Sequence, residues 1–213
     1  MTRKPTLLFD LDGTLIDSAA DLTTALNRLR EEFGLPPLPV AEVTGMVGDG
    51  ARKLVQRALP QGYPLSDSVG RFLAYYRLHL CEQTVPYPGM VELLREFADH
   101  PKGVVTNKPV DLTRELLGRL GLTPAFLCVI GGDSCAEKKP HPLPVLKALE
   151  LLNTSAQRAL MIGDHHTDLH AGRDAGCRTC FCSWGLGNKG GTQPDWEVAS
   201  AAQLAALLRS LAS

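Results

Sequence analysis

The sequence has no appreciable charge excess, no long apolar run and few aromatic residues, and each shortage closes off a class of function. Its 22 Lys and Arg nearly cancel 23 Asp and Glu for a net charge of −1, so no basic field is available to grip nucleic acid. No uninterrupted apolar run approaches the roughly 20 residues of a membrane-spanning helix. The short apolar stretch Thr6-Leu7-Leu8-Phe9 lacks the length and the small-residue cleavage site of a signal peptide. The expectation is a cytoplasmic protein with no membrane and no nucleic-acid partner, acting as a monomer or homodimer. Six cysteines, at 81, 128, 135, 177, 180 and 182, are scattered along the chain and read as reduced thiols rather than a disulfide framework. Cys177-Arg178-Thr179-Cys180 is a CxxC, but no second pair follows, and Cys180 and Cys182 fit one face of a buried strand; packing is the expected role. Hydrophobic residues still make up 44% of the chain, enough for a compact core.

What is present is a repeated strand-then-helix pattern. Leu7-Leu8-Phe9, Gly103-Val104-Val105-Thr106, Phe126-Leu127-Cys128-Val129-Ile130 and Ala159-Leu160-Met161-Ile162-Gly163 are short apolar runs bounded by turn residues, and Thr179 to Ser183 is a possible fifth. Between them Met90, Leu93, Leu94 and Phe97, then Leu112, Leu116, Leu117 and Leu120, then Val145, Leu146, Leu149 and Leu152 recur at helical spacing. Strands alternating with helices predict an α/β fold, a Rossmann-like parallel sheet with helices on both faces. The stretch 16–85 shows helical periodicity and no convincing strand. It reads as a small all-α cap domain of three or four helices inserted into a core formed by 1–15 and 86–213. Its two junctions, Leu15 to Ser18 and Thr84 to Gly89, could hinge. The glycine-rich Gly185 to Gly191 is expected to be a mobile loop.

Residues two apart in a strand share a side, so Asp10 and Asp12 can present paired carboxylates where the first strand ends. Ligands of parallel sheets bind at the carboxyl ends of strands, and polar residues stand at three further ends: Thr106-Asn107-Lys108, Lys138-Lys139-Pro140 and Gly163-Asp164. Asp10, Asp12 and Asp164 repel one another unless a cation lies between them, and an oxygen-only donor set suits Mg2+. A solvated turn at Asp10 and Asp12, a helix cap at Asp164 and a surface position for Lys139 are the alternatives without chemistry. His165, His166 and His170 offer imidazoles, but zinc is not the expected ion.

Asp10-Leu11-Asp12-Gly13-Thr14-Leu15-Ile16-Asp17-Ser18, Thr106-Asn107-Lys108, Lys139-Pro140-His141-Pro142 and Gly163-Asp164-His165-His166-Thr167-Asp168 resemble, in order, the four motifs of the haloacid dehalogenase superfamily. The resemblance spans nearly the whole chain. It implies a phosphoric monoester hydrolase in which Asp10 attacks phosphorus to form an aspartyl-phosphate while Asp12 protonates the leaving oxygen and later activates water. It further implies that Thr106 and the Asn107 amide hold phosphoryl oxygens, that Lys139 balances charge, and that Asp10, the Asp12 carbonyl and Asp164 ligate Mg2+ with Asp168 supporting them. An aspartate at position 12 sets the chain apart from true haloacid dehalogenases, which lack it.

The cap stretch Val47-Gly48-Asp49-Gly50-Ala51-Arg52 resembles the cap loop of phosphoglycolate phosphatases, where Gly48 and Gly50 would let backbone amides approach a ligand and Arg52 would pair with a substrate carboxylate. A solvated helix arginine is the competing reading of Arg52. The substrate implied is a small phosphomonoester, 2-phosphoglycolate first and a sugar phosphate such as N-acetylmuramic acid 6-phosphate second. A phosphomutase would instead return the phosphoryl group to a bound sugar, and a non-catalytic binding module would release no phosphate.

Overall fold

The computed structural model describes residues 4–212. The elements run β1 Thr6–Phe9, β2 Ile16–Asp17, α1 Ala19–Glu32, α2 Val40–Thr44, α3 Ala51–Ala58, α4 Leu65–Leu78, β3 Val85–Pro86, α5 Met90–Glu96, β4 Lys102–Val105, α6 Val110–Arg119, β5 Cys128–Ile130, α7 Leu143–Leu151, β6 Ala159–Gly163, α8 His166–Asp174, β7 Arg178–Cys182, β8 Trp196–Val198 and α9 Ala201–Ala212. Six strands form one parallel sheet in the order β5-β4-β1-β6-β7-β8. Because every strand points the same way, the residues after Phe9, Val105 and Gly163 emerge on one rim.

The sheet is buried on both faces, and the side-chain period of two divides its residues between them. Leu7, Phe9, Val104, Leu160 and Ile162 join a core with α5, α6 and α9, whereas Leu8, Val105 and Met161 pack with Val145, Ala148 and Ala171 of α7 and α8. Cys180 and Cys182 lie fully buried on the first of these faces, as their spacing predicts. All six cysteines are free thiols. Among the described residues no helix is long and apolar enough to cross a membrane.

The third strand is shorter than its apolar run suggests. Phe126 and Leu127 precede β5, and the Leu127 side chain is exposed. The edge strand β8 and the helix α9 complete the sheet and its cover without an apolar run long enough to announce the strand.

Helices α1 to α4 pack on one another, their apolar faces meeting through Leu22, Leu26, Leu29, Val55, Phe72 and Tyr76. The stretch 16–85 does contain strand, contrary to expectation: β2 and β3 pair antiparallel, Ile16 with Pro86 and Asp17 with Val85. Two-residue strands carry no readable periodicity, and only the pairing of distant segments creates them. Buried Asp21 fastens the returning chain, accepting from the Glu82, Gln83 and Thr84 amides and the Thr84 hydroxyl at 2.6–3.1 Å. The junctions thus form a stapled ribbon.

Candidate active site

Asp10 follows β1 and is 6% exposed. The chain turns at Gly13 with φ +86°, where a Cβ would run into the Asp164 carboxylate, so both the backbone conformation and the close approach require glycine. Lys139 lies across the rim. Its ammonium donates to Asp10 Oδ1 at 2.9 Å, to Asp168 Oδ1 at 2.6 Å and to the Val105 carbonyl, which uses all three of its protons. Burial opposes the charge on Lys139, but Asp10 and Asp168 outweigh it and hold the ammonium above its ordinary pKa.

Asp164 is held from two sides. Its Oδ1 accepts the Thr14 hydroxyl at 3.0 Å, and its Oδ2 accepts the Leu186 and Gly187 amides at 2.9 and 2.8 Å. The near end of the glycine-rich segment is therefore pinned to the site rather than free, a correction to the mobile loop expected for Gly185 to Gly191. Asp164 is also not the cap of the following helix. His165 takes that place, with Asp168 reaching back to the His165 amide at 3.1 Å in a capping box.

One carboxylate oxygen from each of Asp10, Asp164 and Asp168 falls within 4.8 Å of the others. Burial, and then the Asp168 charge, pushes Asp10 up to about 6 despite Lys139. Burial, then Asp10 and Asp168, pushes Asp164 up to about 8. A single ammonium among three buried carboxylates leaves negative charge uncompensated, and an all-oxygen donor set of that kind fits a hard divalent cation.

Asp12 stands apart from this cluster. Its Oδ1 accepts the Ser18 hydroxyl at 2.5 Å and lies 2.9 Å from Lys108 Nζ, while no hydrogen bond from a described residue reaches Oδ2. Lys108 also donates to the Tyr76 hydroxyl at 2.7 Å and sits 4.4 Å from that ring's centre. Burial works against the Lys108 charge, but Asp12 and Tyr76 outweigh it and raise its pKa. Burial in turn pushes the Tyr76 phenol up to about 12, so it stays neutral.

Thr106 is buried at the end of β4, its Oγ1 accepting the Lys108 amide at 3.3 Å. Asn107 donates through Nδ2 to the Gly48 carbonyl at 3.0 Å and the Lys139 carbonyl at 2.9 Å. Lys138 donates to the Asp49 carbonyl. Gly48 has φ +117°, and a Cβ there would meet the His165 ring at 2.7 Å. Gly50, also at positive φ, is the N-cap of α3. Arg52 points to solvent.

A family model of haloacid dehalogenase-like hydrolases matches residues 7–182. The chain belongs to that family. Phosphoglycolate phosphatases are among the hydrolase's relatives: that of Neisseria meningitidis is 39% identical over 208 residues, covering 90% of this chain and 88% of the relative, and that of Aquifex aeolicus is 36% identical with 95% of each chain covered. The crystal structure of a predicted phosphoglycolate phosphatase from Haemophilus somnus superposes with a TM-score of 0.89 at 29% identity, covering 97% of this chain and 99% of the other. The hydrolase is a phosphoric monoester hydrolase acting on a small-molecule phosphate.

Its cleft, about 500 Å³ with the open mouth included, lies between the rim and helices α1, α3 and α4. Asp10, Asp12, Thr106, Asn107, Gly48 and Gly50 line it together with apolar Leu22, Val47, Leu54, Phe72 and Leu112. Among the described lining residues Lys108 is the one cation, and Arg52 is not in the wall. Lys108 stood in the second motif with no role assigned to it, and its pairing with Tyr76 was not foreseen because their meeting spans 32 residues and two elements. The Leu186 and Gly187 amides left no sequence signal at all, since any residue other than proline supplies them.

Proposed function

We propose that this hydrolase cleaves 2-phosphoglycolate to glycolate and phosphate through an aspartyl-phosphate on Asp10, with Mg2+ as cofactor. The observation that carries the reading is the pairing of Asp10, clamped by Lys139, with a small, largely apolar cleft in which Lys108 is the one cation among the described lining residues. Relatives at 36–39% identity bear the name phosphoglycolate phosphatase.

Asp10, Asp164 and the Asp12 carbonyl would hold Mg2+, with Asp168 supporting them by fixing Lys139. When bound, the ion supplies positive charge that neutralises the phosphate and the attacking carboxylate. Asp10 then attacks phosphorus through a carboxylate oxygen as the ester P–O bond breaks. The Thr106 hydroxyl and the Asn107 amide hold phosphoryl oxygens, and Lys139 offsets the charge on Asp10. Asp12, its Oδ1 engaged by Ser18 and Lys108, donates its proton through Oδ2 to the leaving glycolate oxygen. The resulting carboxylate takes a proton from water, whose oxygen attacks the aspartyl-phosphate and restores Asp10.

In 2-phosphoglycolate the carboxylate is attached one methylene beyond the ester oxygen. A group that close to the oxygen protonated by Asp12 falls within reach of Lys108, whose third N–H meets no acceptor among the described residues. Stretch 16–85 acts as the cap in this scheme, swinging on the β2/β3 ribbon to admit substrate and exclude water.

Phosphate release from a panel of phosphorylated acids and sugar phosphates, compared by kcat/KM, tests the reading. The highest value is expected for 2-phosphoglycolate with Mg2+ present. A sugar phosphate outrunning it would overturn the substrate assignment, and sugar isomer formed without phosphate release would indicate a mutase.

A further inference from the structure

A second donor cluster lies beside the cleft and takes no part in the reaction above. One donor atom from each of Asp49, His165 and His166 lies within 4.8 Å of the others. Two imidazoles and a carboxylate are the ligand set of zinc and its neighbours rather than of magnesium. We propose that these three residues form a regulatory site for a transition-metal ion, zinc fitting best, that ties the cap loop to the core and holds the cleft shut.

The geometry of each ligand supports the assignment. His165 is fixed as the first residue of the α8 cap, and its Nδ1 lies 3.0 Å from the Thr167 hydroxyl. Nδ1 accepts the Thr167 amide at 3.4 Å, so the metal-free neutral ring carries its proton on Nε2; zinc at Nε2 requires that proton to move to Nδ1, where the Thr167 hydroxyl oxygen accepts it. The Nε2 edge faces the cap loop, since a Cβ on Gly48 would lie 2.9 Å from it. His166 is anchored by its amide to the Asn188 carbonyl at 2.8 Å, its ring centre lies 4.0 Å from that of His165 with the planes tilted by 43°, and its buried Nδ1 has no hydrogen-bond partner among the described residues. Asp49 sits between the two glycines, in a loop whose carbonyls are already held by Asn107 and Lys138.

Tetrahedral zinc spaces its donors by about 3.4 Å, so side-chain shifts of about 1 Å close the site and leave a fourth position for water. Arg57 pairs with Asp49 and competes for its charge, which suits reversible binding rather than a permanent structural ion. The ligands are divided between the loop before α3 and the start of α8, so parting the two disperses them. An ion that binds only the closed arrangement shifts the population toward it.

Zinc titration calorimetry on the full chain, with Mg2+ in large excess to occupy the carboxylate cluster, tests this without reference to the substrate. One equivalent is expected to bind, and hydrolysis of an aryl phosphate is expected to fall as the site fills. Asp49→Asn and His166→Gln should each weaken zinc binding by about tenfold or more and relieve the inhibition, with zinc-free activity retained. Cobalt added in place of zinc should show a visible absorption band that either substitution diminishes. Zinc affinity and inhibition unchanged in both variants, or no zinc bound in the presence of excess Mg2+, would overturn the proposal.

Discussion

The Lys108 ammonium lies 2.9 Å from Oδ1 of Asp12. This contact sets a buried cation against the carboxylate proposed to move a proton, at the edge of a cleft whose other walls are largely apolar. Lys108→Met should therefore lower kcat/KM for 2-phosphoglycolate by about 100-fold, because a buried substrate carboxylate would be left unpaired, and for a neutral aryl phosphate by less than about tenfold. Arg52→Ala should leave both substrates near the parent value. Equal losses on both substrates in Lys108→Met would assign the lysine to Asp12 alone.

Replacing the two carboxylates of the first strand end should separate their roles. Asp10→Asn should lose about 10⁴-fold or more in phosphate release. Asp12→Asn, offered an aryl phosphate whose leaving group needs no proton, should still transfer the phosphoryl group but should hydrolyse it slowly. Intact-protein mass spectrometry would then show a phosphorylated chain. An unmodified Asp12→Asn protein, together with an active Asp10→Asn, would remove Asp10 as nucleophile.

Lys139→Met takes away the one ammonium between Asp10 and Asp168. Breaking such a buried pairing costs about 3 kcal/mol. Denaturant unfolding at neutral pH should show a loss of that order, shrinking toward pH 5 as the stranded carboxylates take up protons. A loss independent of pH would point to packing rather than charge.

The raised pKa values of Asp10, about 6, and Asp164, about 8, make stability depend on pH in a definite direction. Both groups hold protons more tightly folded than unfolded, so the metal-free protein is favoured at low pH by this linkage and loses that contribution as pH rises from about 4 to about 8. A divalent cation held by the deprotonated cluster, as proposed, would offset the loss. Thermal melts across this range should diverge with rising pH between samples with and without Mg2+, and Asp164→Asn should bring the two curves together. Parallel curves in the parent protein would mean that the cluster holds no ion.

Much of the fold was legible because a buried strand needs a continuous apolar run and a covering helix needs a 3.6-residue stripe. Leu7 to Phe9, Ala159 to Gly163 and the faces of α5, α6 and α7 show those patterns directly. The convergence of Asp10, Thr106 and Asp164 was legible too, since parallel strands deliver their carboxyl ends to one rim. The two-residue ribbon, the edge strand β8 and the shortened β5 were not, because each depends on which distant segment lies alongside it.

The sequence by itself determined the chemistry available: carboxylates and a hydroxyl at strand ends, a lysine that the structure places in the loop between β5 and α7 rather than at the strand end expected for it, and a helical insertion beside them. Only the tertiary structure decided how those charges are shared. Lys139 is divided between Asp10 and Asp168, Lys108 between Asp12 and the Tyr76 of a separate helix, and Asp164 is held by amides that any residue but proline could offer. The reason is physical. A residue type specifies what a group can donate or accept, whereas partnership between charges depends on distance and burial, and those exist only once the chain has folded.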